Sequence, residues 1–285
     1  MIKSLIRNSI NTFLSLLRVL LHSRFNGRLK YKHGSIKNTC SILANGPSLN
    51  KNINSLDVCK NRDFFAVNFF ALSEHFFRLK PCCYVFADSA FWDKEENMHP
   101  ETILQRKELF QRLCQVDWEL TIFIPGKGAN SLIIKDLLKI NHHIKAISYN
   151  TVSFYGFDSI RTWTYKQNLC MPLSQNVLIA ALYIAINIGY RNIEIYGGDF
   201  SWTKSIRVDE NNIVCQIDSH FYDKEKVSLS PVLAYVGEPY RMHQYLSDLA
   251  KMFEGCWQVK YYSDIIGAKI VNKNKESFID AFTKE

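Results

Sequence analysis

The alternation of short apolar runs with helical runs from residue 40 onward is the feature that most constrains the fold. Seven runs rich in β-branched and aromatic residues predict strands, at 40–46, 64–70, 82–88, 121–126, 144–150, 192–199 and 258–264. Helical patterns lie between them, at about 101–116, 130–140, 175–189 and 239–254. Near-continuous apolar strands that are separated by helices are typical of a parallel sheet covered on both sides. The sequence therefore predicts an α/β fold with a mostly parallel sheet and helices on both of its faces.

The segment 175–189, QNVLIAALYIAINIG, predicts a central buried helix. It is apolar on nearly all sides, it ends at Gly189 as a helix with a glycine C-cap does, and it leads directly into the strand at 192–199. Ser174 is expected to cap this helix, with Gln175 and Asn176 in its first turn. The start of a buried helix also favours a bound phosphate, and the pattern supports both interpretations equally.

Residues 2–22 combine an apolar stripe with basic charge. Positions 2, 6, 10, 13, 17 and 20 follow helical spacing, while polar residues interrupt the other face, so no apolar run is long enough to span a membrane. No small-residue cleavage site follows, which disfavours a signal peptide. The segment 1–36 is therefore predicted to be a basic amphipathic helix and tract lying in the plane of a membrane. An ordinary helix packed on the domain is the alternative.

The positive charge of the chain is concentrated at its beginning. Nine Lys and Arg residues precede the first acidic residue, Asp57, which is one more than the net charge of +8 for the whole chain. Residues 1–37 are thus expected to contact anionic lipid, and the protein to be peripheral on the cytoplasmic face of the cell membrane. No basic stripe with interleaved aromatic residues follows residue 60, so a nucleic-acid partner is not expected.

Composition predicts a globular domain over residues 37–285. The chain has 285 residues, of which 47% are apolar, which is enough for a large core and excludes a disordered protein. The least regular part, about 203–238, is long enough to be a lid-like segment. The eight cysteines are scattered without a CxxC pair, which indicates a reducing compartment and no disulfide framework.

Small and polar residues follow the predicted strands. In open parallel sheets, ligands bind outside the carboxyl ends of the strands. The residues expected at that edge are Asn45, Gly46, Pro47, Ser48, Asn68, Asp88, Gly126, Tyr149, Asn150, Gly197, Gly198 and Asp199. Such a rim suits the hydroxyls and phosphates of a nucleotide.

The turn Asn45-Gly46-Pro47-Ser48 follows the first strand of the domain. Glycine permits a close backbone approach or a positive φ, and proline suits the first position of a helix because it needs no backbone donor there. Ser48 is able to bond within the turn. The four residues therefore predict a strand-to-helix connection aimed at a ligand, although a purely structural turn fits the bare pattern equally well.

His220 is the candidate general base. It stands in IDSHFYDKE, 217–225, close to Asp218, Tyr222 and Asp223 and before the last predicted helix. The unperturbed pKa of histidine lies near neutrality, which suits proton removal from a hydroxyl. A solvated polar loop is the alternative interpretation, and His243, on the predicted helix 239–254, is a second and more ordinary histidine.

Several familiar nucleotide motifs are absent from the sequence. The D-x-D pair that many nucleotide-diphosphate-sugar transferases use to hold a divalent metal does not occur, and neither do a Walker A motif or a G-x-G-x-x-G fingerprint. Ordinary NTPases and dinucleotide enzymes are therefore disfavoured. We expect neither a bound metal nor a cofactor.

Taken in order, five stretches resemble the family 42 glycosyltransferases, the bacterial CMP-sialic-acid-dependent sialyltransferases. They are LANGPSL, FFAVNFF, YVFADSAFW, PLSQNVLIAALYIAINIGYRNIEIYGGDF and DSHFYD, within about residues 40–265. The first is also similar to the strand-turn of motility-accessory and pterin-diphosphokinase-like proteins. The resemblance implies a single Rossmann-like domain, a CMP-sugar donor, metal independence and inversion at the anomeric carbon.

The resemblance also implies roles for individual residues. Asn45 and Gly46 would face the donor phosphate or ribose, Asn68 the sugar phosphate, and Ser174 with Gln175 the carboxylate of a sialic-acid-like sugar. Asp88 stands where the family has Asn. The chain departs from the family at Ser201 and Trp202, which replace a tyrosine, at Lys224, which replaces the base, and at Gln175, which replaces a glycine.

These features together predict a metal-independent, inverting glycosyltransferase that extends a lipopolysaccharide or capsule precursor. The donor would be CMP-activated sialic acid or another keto-sugar such as Kdo, and the acceptor a lipid-linked glycan. His220 would remove the proton from the acceptor hydroxyl. Two alternatives remain: a pterin-type diphosphotransferase, which would need ATP and Mg²⁺, and a catalytically inactive nucleotide-binding membrane scaffold.

Overall fold

The computed structural model describes residues 2–31, 37–57, 61–217, 221, 229–233 and 238–285. The strands in these residues are Thr39–Leu43 (β1), Arg62–Val67 (β2), Cys83–Val85 (β3), Leu120–Pro125 (β4), Ile144–Tyr149 (β5), Asn192–Tyr196 (β6), Arg207–Val208 (β7), Val214–Gln216 (β8), Ser230–Pro231 (β9), Lys269–Asn272 (β10) and Thr283–Lys284 (β11). The α-helices are Ile2–His22 (α1), His75–Leu79 (α2), Pro100–Cys114 (α3), Leu132–Ile140 (α4), Asp158–Lys166 (α5), Val177–Ile188 (α6) and Met242–Ile266 (α7).

Eight strands form one parallel sheet in the order β11-β10-β6-β1-β2-β3-β4-β5. Strands β1 to β6 match the first six predicted strands, so the predicted parallel α/β fold is confirmed. The chain adds β2 to β5 on one side of β1 and then returns to place β6 on the other side. This reversal creates a crevice at the carboxyl end of β1, where ligands bind in folds of this type.

Two apolar cores cover the two faces of the sheet. Successive side chains of a strand point to opposite faces, so Ile42 packs into the core formed with α6 and α7, while Leu43 packs into the core formed with α3 and α4. Because both faces are covered, the central strands are apolar at nearly every position. This is the physical reason for the continuous apolar runs in the sequence.

Helix α6 is the most buried helix, as predicted. Ten of its twelve residues are buried, and Gly189 ends it with a left-handed φ of 118°. Its start differs from the prediction, because the N-cap is Asn176 and not Ser174. The preceding loop is attached to Gln258 on α7, whose Oε1 accepts a hydrogen bond from Leu173 N at 2.8 Å. The helix begins two residues later than expected.

The predicted strand at 258–264 is wrong, because these residues belong to α7. The buried side chains of this helix recur every three or four residues, which is the helical period; they include Tyr245, Leu249, Met252, Cys256, Val259 and Tyr262. The aromatic and β-branched content of QVKYYSD resembles a strand, but packing against α6 and β10 imposes the helix. The last strands of the sheet are β10 and β11 instead.

The amino-terminal helix is present at the predicted position and packs on the domain through a few residues. Thr12, Ser15 and Val19 are its buried residues. None of the described helices is long and apolar enough to cross a membrane. In the part predicted to be lid-like, the described residues include a small antiparallel sheet of β7, β8 and β9, and the lid itself stays a prediction.

Candidate active site

A cavity of about 140 Å³ opens at the carboxyl ends of β1, β2 and β6, in the crevice where the strand order reverses. Seven of the predicted residues line it: Asn45, Gly46, Pro47, Asn68, Asn176, Gly197 and Asp199. They come from three strand ends and one helix start that are far apart in the sequence. Parallel pairing of β1 with both β2 and β6 brings them together.

Gly46 lies where the first turn touches the end of β6. Its N–H donates to Gly197 O at 3.0 Å. A Cβ at this position would lie 2.4 Å from Gly197 O and 2.6 Å from Asp199 Oδ2, so the site has no room for a side chain. The φ of Gly46 is −67°, so the close approach, and not a positive φ, requires glycine here. Pro47 then begins a 3₁₀ helix, as its position predicted.

Asp199 holds this turn in place. Its Oδ2 accepts a hydrogen bond from Ser48 N at 2.9 Å, and its Oδ1 accepts from Ser48 Oγ and from Asn274 Nδ2, the latter at 2.6 Å. Both oxygens of the carboxylate are thus used within the protein. Ser48 acts through Asp199 and does not line the cavity. The pair determines the position of Asn45 and Gly46 relative to β6.

Two residues that line the cavity, Asn45 and Asn68, each have a buried amide oxygen without a partner in the described part of the chain. Asn45 Oδ1 and Asn68 Oδ1 are buried and accept no hydrogen bond from any described residue. Asn45 Nδ2 donates to Val67 O at 3.3 Å, which orients its amide. Asn68 has a left-handed backbone with φ of 44°, and its carbonyl accepts from Tyr84 OH. A buried acceptor without a donor is costly, so these atoms indicate a ligand that carries hydrogen-bond donors.

The start of α6 forms another wall of the cavity. Asn176 caps the helix, since its Oδ1 accepts from Leu178 N at 2.8 Å, and Val177 and Leu178 also line the space. The positive end of the helix dipole therefore faces the cavity. Ser174, the residue expected to do the capping, is half-buried in the preceding loop and lines no part of the cavity.

A second cavity of about 270 Å³ adjoins the first, since Asn176 and Trp202 line both. We call it the adjoining cavity. Gln175, Tyr240 and Asp248 are among its other lining residues. Tyr240 OH donates to Asp248 Oδ2 at 2.9 Å. A hydrogen bond from Lys251 and that from Tyr240 lower the pKa of the Asp248 carboxyl below its usual value, so it is ionised at neutral pH.

The remaining predicted residues lie elsewhere. Asp88 caps a 3₁₀ turn by accepting from Ala90 N at 2.9 Å, and it lines neither cavity. Gly198 is buried, and its carbonyl accepts from Asn272 and Ser277. His220 lies outside the described residues, as do Asp218, Tyr222, Asp223 and Lys224. Their roles stay predictions.

Phe221, the residue after His220, is described, and it lies at the rim of the first turn. Its N–H donates to Asn45 O at 3.0 Å, and its carbonyl accepts from Asn50 Nδ2 at 3.1 Å. Its ring stacks on Phe70 with centroids 5.4 Å apart. This part of the segment 203–238 is thus attached to the turn that forms the cavity.

Sequence reasoning missed Asn274, Tyr240 and Asp248. Asn274 follows β10, and the apolar run that forms this strand is a signal that was overlooked. Tyr240 and Asp248 lie within the predicted helix 239–254, and nothing in the sequence relates them to the crevice. The described residues contain no group of three or more His, Cys, Asp or Glu side chains that could hold a metal ion.

No protein-family model matches the sequence, and no curated protein matches it. Among solved structures, the MAf glycosyltransferase from Magnetospirillum magneticum AMB-1 aligns with 96% of this chain at 9% identity and a TM-score of 0.47. The chain spans only 38% of the length of that protein.

Two sialyltransferases from Campylobacter jejuni also align with the chain. The monofunctional α-2,3-sialyltransferase Cst-I has 14% identity and a TM-score of 0.46, with 89% of this chain and 82% of that chain covered. CstII, in complex with cytidine-5'-monophosphate, has 15% identity and a TM-score of 0.43, with 88% and 86% covered. Likenesses of this size carry no argument about activity.

Proposed function

We propose that this protein is a metal-independent, inverting glycosyltransferase that uses a CMP-activated sugar. The single observation that carries the proposal is the pair of buried amide oxygens, Asn45 Oδ1 and Asn68 Oδ1, which lack a donor among the described residues and belong to two residues that line one cavity. The hydroxyls of a ribose or of a sugar supply such donors. The amide oxygens would then be satisfied only in the nucleotide-sugar complex.

The wall formed by α6 supports a place for the donor phosphate. The helix dipole favours negative charge at the first turn, next to Asn176. The phosphate in a CMP-sugar is the group that leaves, so the helix would stabilise the charge that develops on it. Asp199 uses both of its oxygens to hold the turn, which leaves it a positioning role in this scheme.

The adjoining cavity is the proposed acceptor site. Trp202 and Tyr240 offer aromatic faces for a sugar ring, and the ionised carboxylate of Asp248 accepts hydrogen bonds from hydroxyls. Because Asn176 and Trp202 belong to both cavities, an acceptor hydroxyl there would lie next to the donor. We propose a glycan of a lipid-linked lipopolysaccharide or capsule precursor as acceptor, with the protein peripheral on the cytoplasmic face of the membrane.

A nucleotide panel tests the donor class. Purified protein is heated with CMP, CDP, UDP, GDP or ATP, each with and without Mg²⁺. A ligand present at about 100 times its Kd stabilises the folded state by about 2.7 kcal/mol, a shift of about 5 °C in Tm. We expect that shift with CMP and no metal. Stabilisation only by ATP with Mg²⁺ would favour a pterin-type diphosphotransferase instead.

The substitution Asn68→Gly tests the cavity itself. Glycine accepts the left-handed backbone of residue 68, while the unpartnered amide oxygen is lost. We expect the affinity for CMP to fall about tenfold in calorimetric titration, and the Tm of the free protein to change little. A matched variant, Asn212→Gly, alters an exposed asparagine outside both cavities that also has a left-handed backbone, with a φ of 60°. Equal CMP affinity in all three proteins would contradict the site.

His220 is proposed as the general base that takes the proton of the acceptor hydroxyl. We expect His220→Ala to lower kcat by about 10²- to 10⁴-fold with the CMP-sugar affinity retained. His243→Ala removes an exposed histidine on α7 and serves as the control. Full turnover by the His220→Ala protein would exclude the role, and CMP binding without any transfer by the natural sequence would favour the inactive scaffold.

A further inference from the structure

Helix α1 is attached to the domain by its polar face. Ser15 Oγ donates to Tyr155 O at 2.9 Å and accepts from Tyr155 N at 2.9 Å, while Thr12 Oγ1 accepts from Phe157 N at 2.9 Å. Gly156, between these two partners, has a φ of 124°, and a Cβ there would lie 2.1 Å from Thr12 Oγ1. The close contact of helix and loop thus depends on small and hydroxyl-bearing residues.

The opposite face of α1 is apolar and exposed. Its large apolar side chains have exposed fractions between 36% and 72%; they are Ile2, Leu5, Ile6, Ile10, Phe13, Leu14, Leu16, Leu17, Leu20 and Leu21. An amphipathic helix that packs on its own domain normally buries this face and exposes the polar one. Here the orientation is reversed, as it is in helices that insert their apolar face into the interface of a bilayer.

A positively charged cavity lies beside the end of this helix. A cavity of about 420 Å³ is formed between the carboxyl ends of β4 and β5 and residues 18–24. Arg18, His22, Arg24 and Lys127 line it, and none of its described lining residues is acidic. No described residue forms an ion pair with these basic side chains. We call this space the basic cavity.

The basic cavity is built by buried contacts. Asn150 is 5% exposed, and its side chain accepts from Arg24 N and donates to Arg24 O, both at 2.8 Å. These two bonds fix the backbone of residue 24 at the carboxyl end of β5. Gly126, at the end of β4, leaves room for the Arg24 side chain, since a Cβ there would lie 3.1 Å from Arg24 Cδ and Nε.

We infer that the basic cavity binds the phosphate of a membrane lipid whose acyl chains lie against the exposed face of α1. Guanidinium groups suit phosphate oxygens in charge and geometry. Because α1 carries the apolar face and also Arg18 and His22 of the basic cavity, one lipid would contact both features. The inference rests on the membrane-bound acceptor of the proposed function and names the group by which that membrane is recognised.

We call the cavity at the carboxyl ends of β1, β2 and β6 the donor cavity. Its position relative to the basic cavity supports the inferred lipid site. Both open at the carboxyl edge of one sheet, the donor cavity at β1 and β2 and the basic cavity at β4 and β5. Neighbouring strands are about 4.8 Å apart, so the two cavities are about 10–20 Å apart. A glycan of a few sugar units would bridge that distance from a lipid phosphate to the transferred sugar.

Vesicle binding of the full chain tests the inference. The partition coefficient is measured with vesicles of phosphatidylcholine containing a minor fraction of phosphatidic acid. The variant Arg24→Gln/Lys127→Gln removes two charges from the basic cavity, and Lys3→Gln/Arg7→Gln removes two from the other end of the chain's basic segment. Non-specific attraction would weaken binding about fivefold per charge in both variants. A phosphate site predicts a loss about tenfold larger in the cavity variant.

A third variant separates geometry from charge. Gly126→Ala keeps every charge but places a Cβ 3.1 Å from Arg24 Cδ and Nε, so the guanidinium must shift slightly. We expect phosphatidic-acid binding to weaken about twofold and binding to pure phosphatidylcholine to stay unchanged. Equal losses in the two charge variants would overturn the site. Tight binding of inorganic phosphate that does not compete with vesicles would show a soluble anion site instead and would also overturn it.

The control for the proposed function is CMP binding. All three variants are expected to retain the CMP-induced shift in Tm, because none of the changed residues lines the donor cavity. Equal losses of vesicle binding in the two charge variants, with CMP binding intact, would refute only the lipid site. Absence of a CMP shift in the natural sequence would refute the donor class independently of the vesicle result.

Discussion

Residue 46 has no space for a side chain, and this is where a single methyl group has the largest expected effect on the donor cavity. Gly46→Ala would place a Cβ 2.4 Å from Gly197 O and 2.6 Å from Asp199 Oδ2. The turn must then separate from β6, which also disturbs the bonds between Asp199 and Ser48. We expect unfolding free energy to fall by about 1–3 kcal/mol and CMP affinity to fall at least about tenfold, as measured by denaturation and calorimetry.

Gly156→Ala is the matched control for this experiment. It also introduces a methyl group against backbone, since the Cβ would lie 2.7 Å from Thr12 N at a φ of 124°. Gly156 lines no part of the donor cavity. The control protein should therefore be destabilised to a similar degree and yet bind CMP normally. If both proteins lost CMP binding equally, general destabilisation and not the turn would be responsible.

At the scale of elements, helix α1 is attached to the rest of the domain by few contacts. Thr12→Val/Ser15→Ala removes the two hydroxyls without adding bulk and so removes their hydrogen bonds to residues 155 and 157. Leaving these backbone groups unpaired costs about 1–3 kcal/mol each. We expect trypsin to cleave after Arg18 and Arg24 faster in this variant, with the rest of the domain intact by mass spectrometry.

Ser9→Ala is the control for the release of α1. Ser9 is exposed, and its Oγ bonds to Leu5 O within the same helix. Its loss should leave the rate of cleavage unchanged. Cleavage of the double variant at the rate of the natural sequence would mean that Val19 and the segment 23–26, and not the two hydroxyls, hold the helix on the domain.

At the scale of the whole molecule, buried phenols make stability depend on alkaline pH. Tyr149, Tyr165 and Tyr183 are at most 1% exposed, and burial raises the pKa of each above its usual value of 10. The unfolded chain ionises these groups near pH 10 and the folded chain does not. Their contribution to stability is therefore present below pH 10 and is lost as the pH rises above it, at about 1.4 kcal/mol per group and pH unit.

Three such groups together lower the free energy of unfolding by about 4 kcal/mol for each pH unit above 10. Since domains are stable by about 5–15 kcal/mol, we expect one cooperative transition between about pH 11 and 13. Circular dichroism and phenolate absorbance should change together. Tyr183→Phe should reduce the slope of stability against pH by about 1.4 kcal/mol per pH unit. An unchanged slope in this variant would contradict the burial of the Tyr183 ring.

Much of the site was predictable because it follows from chain topology. The carboxyl ends of parallel strands meet at one edge of the sheet, so the sequence alone predicts that Asn45, Asn68 and Asp199 lie together. Asp88 was expected there too, but β3 ends early at Val85 and the chain turns away. Asn176 and not Ser174 caps α6, and the loop before it is attached to Gln258 on α7 through Leu173 N. Contacts between distant segments of this kind leave no trace in a local pattern.

The sequence alone determined the parallel sheet, the buried α6 and the amphipathic α1, because continuous apolar strands and helical periodicity are local consequences of burial. Tertiary structure alone decided that residues 258–264 continue a helix, since packing on α6 overrides a strand-like composition. It also decided which face of α1 meets the domain. The stripe is visible in the sequence, but only the hydrogen bonds of Thr12 and Ser15 to residues 155 and 157 turn the apolar side outward.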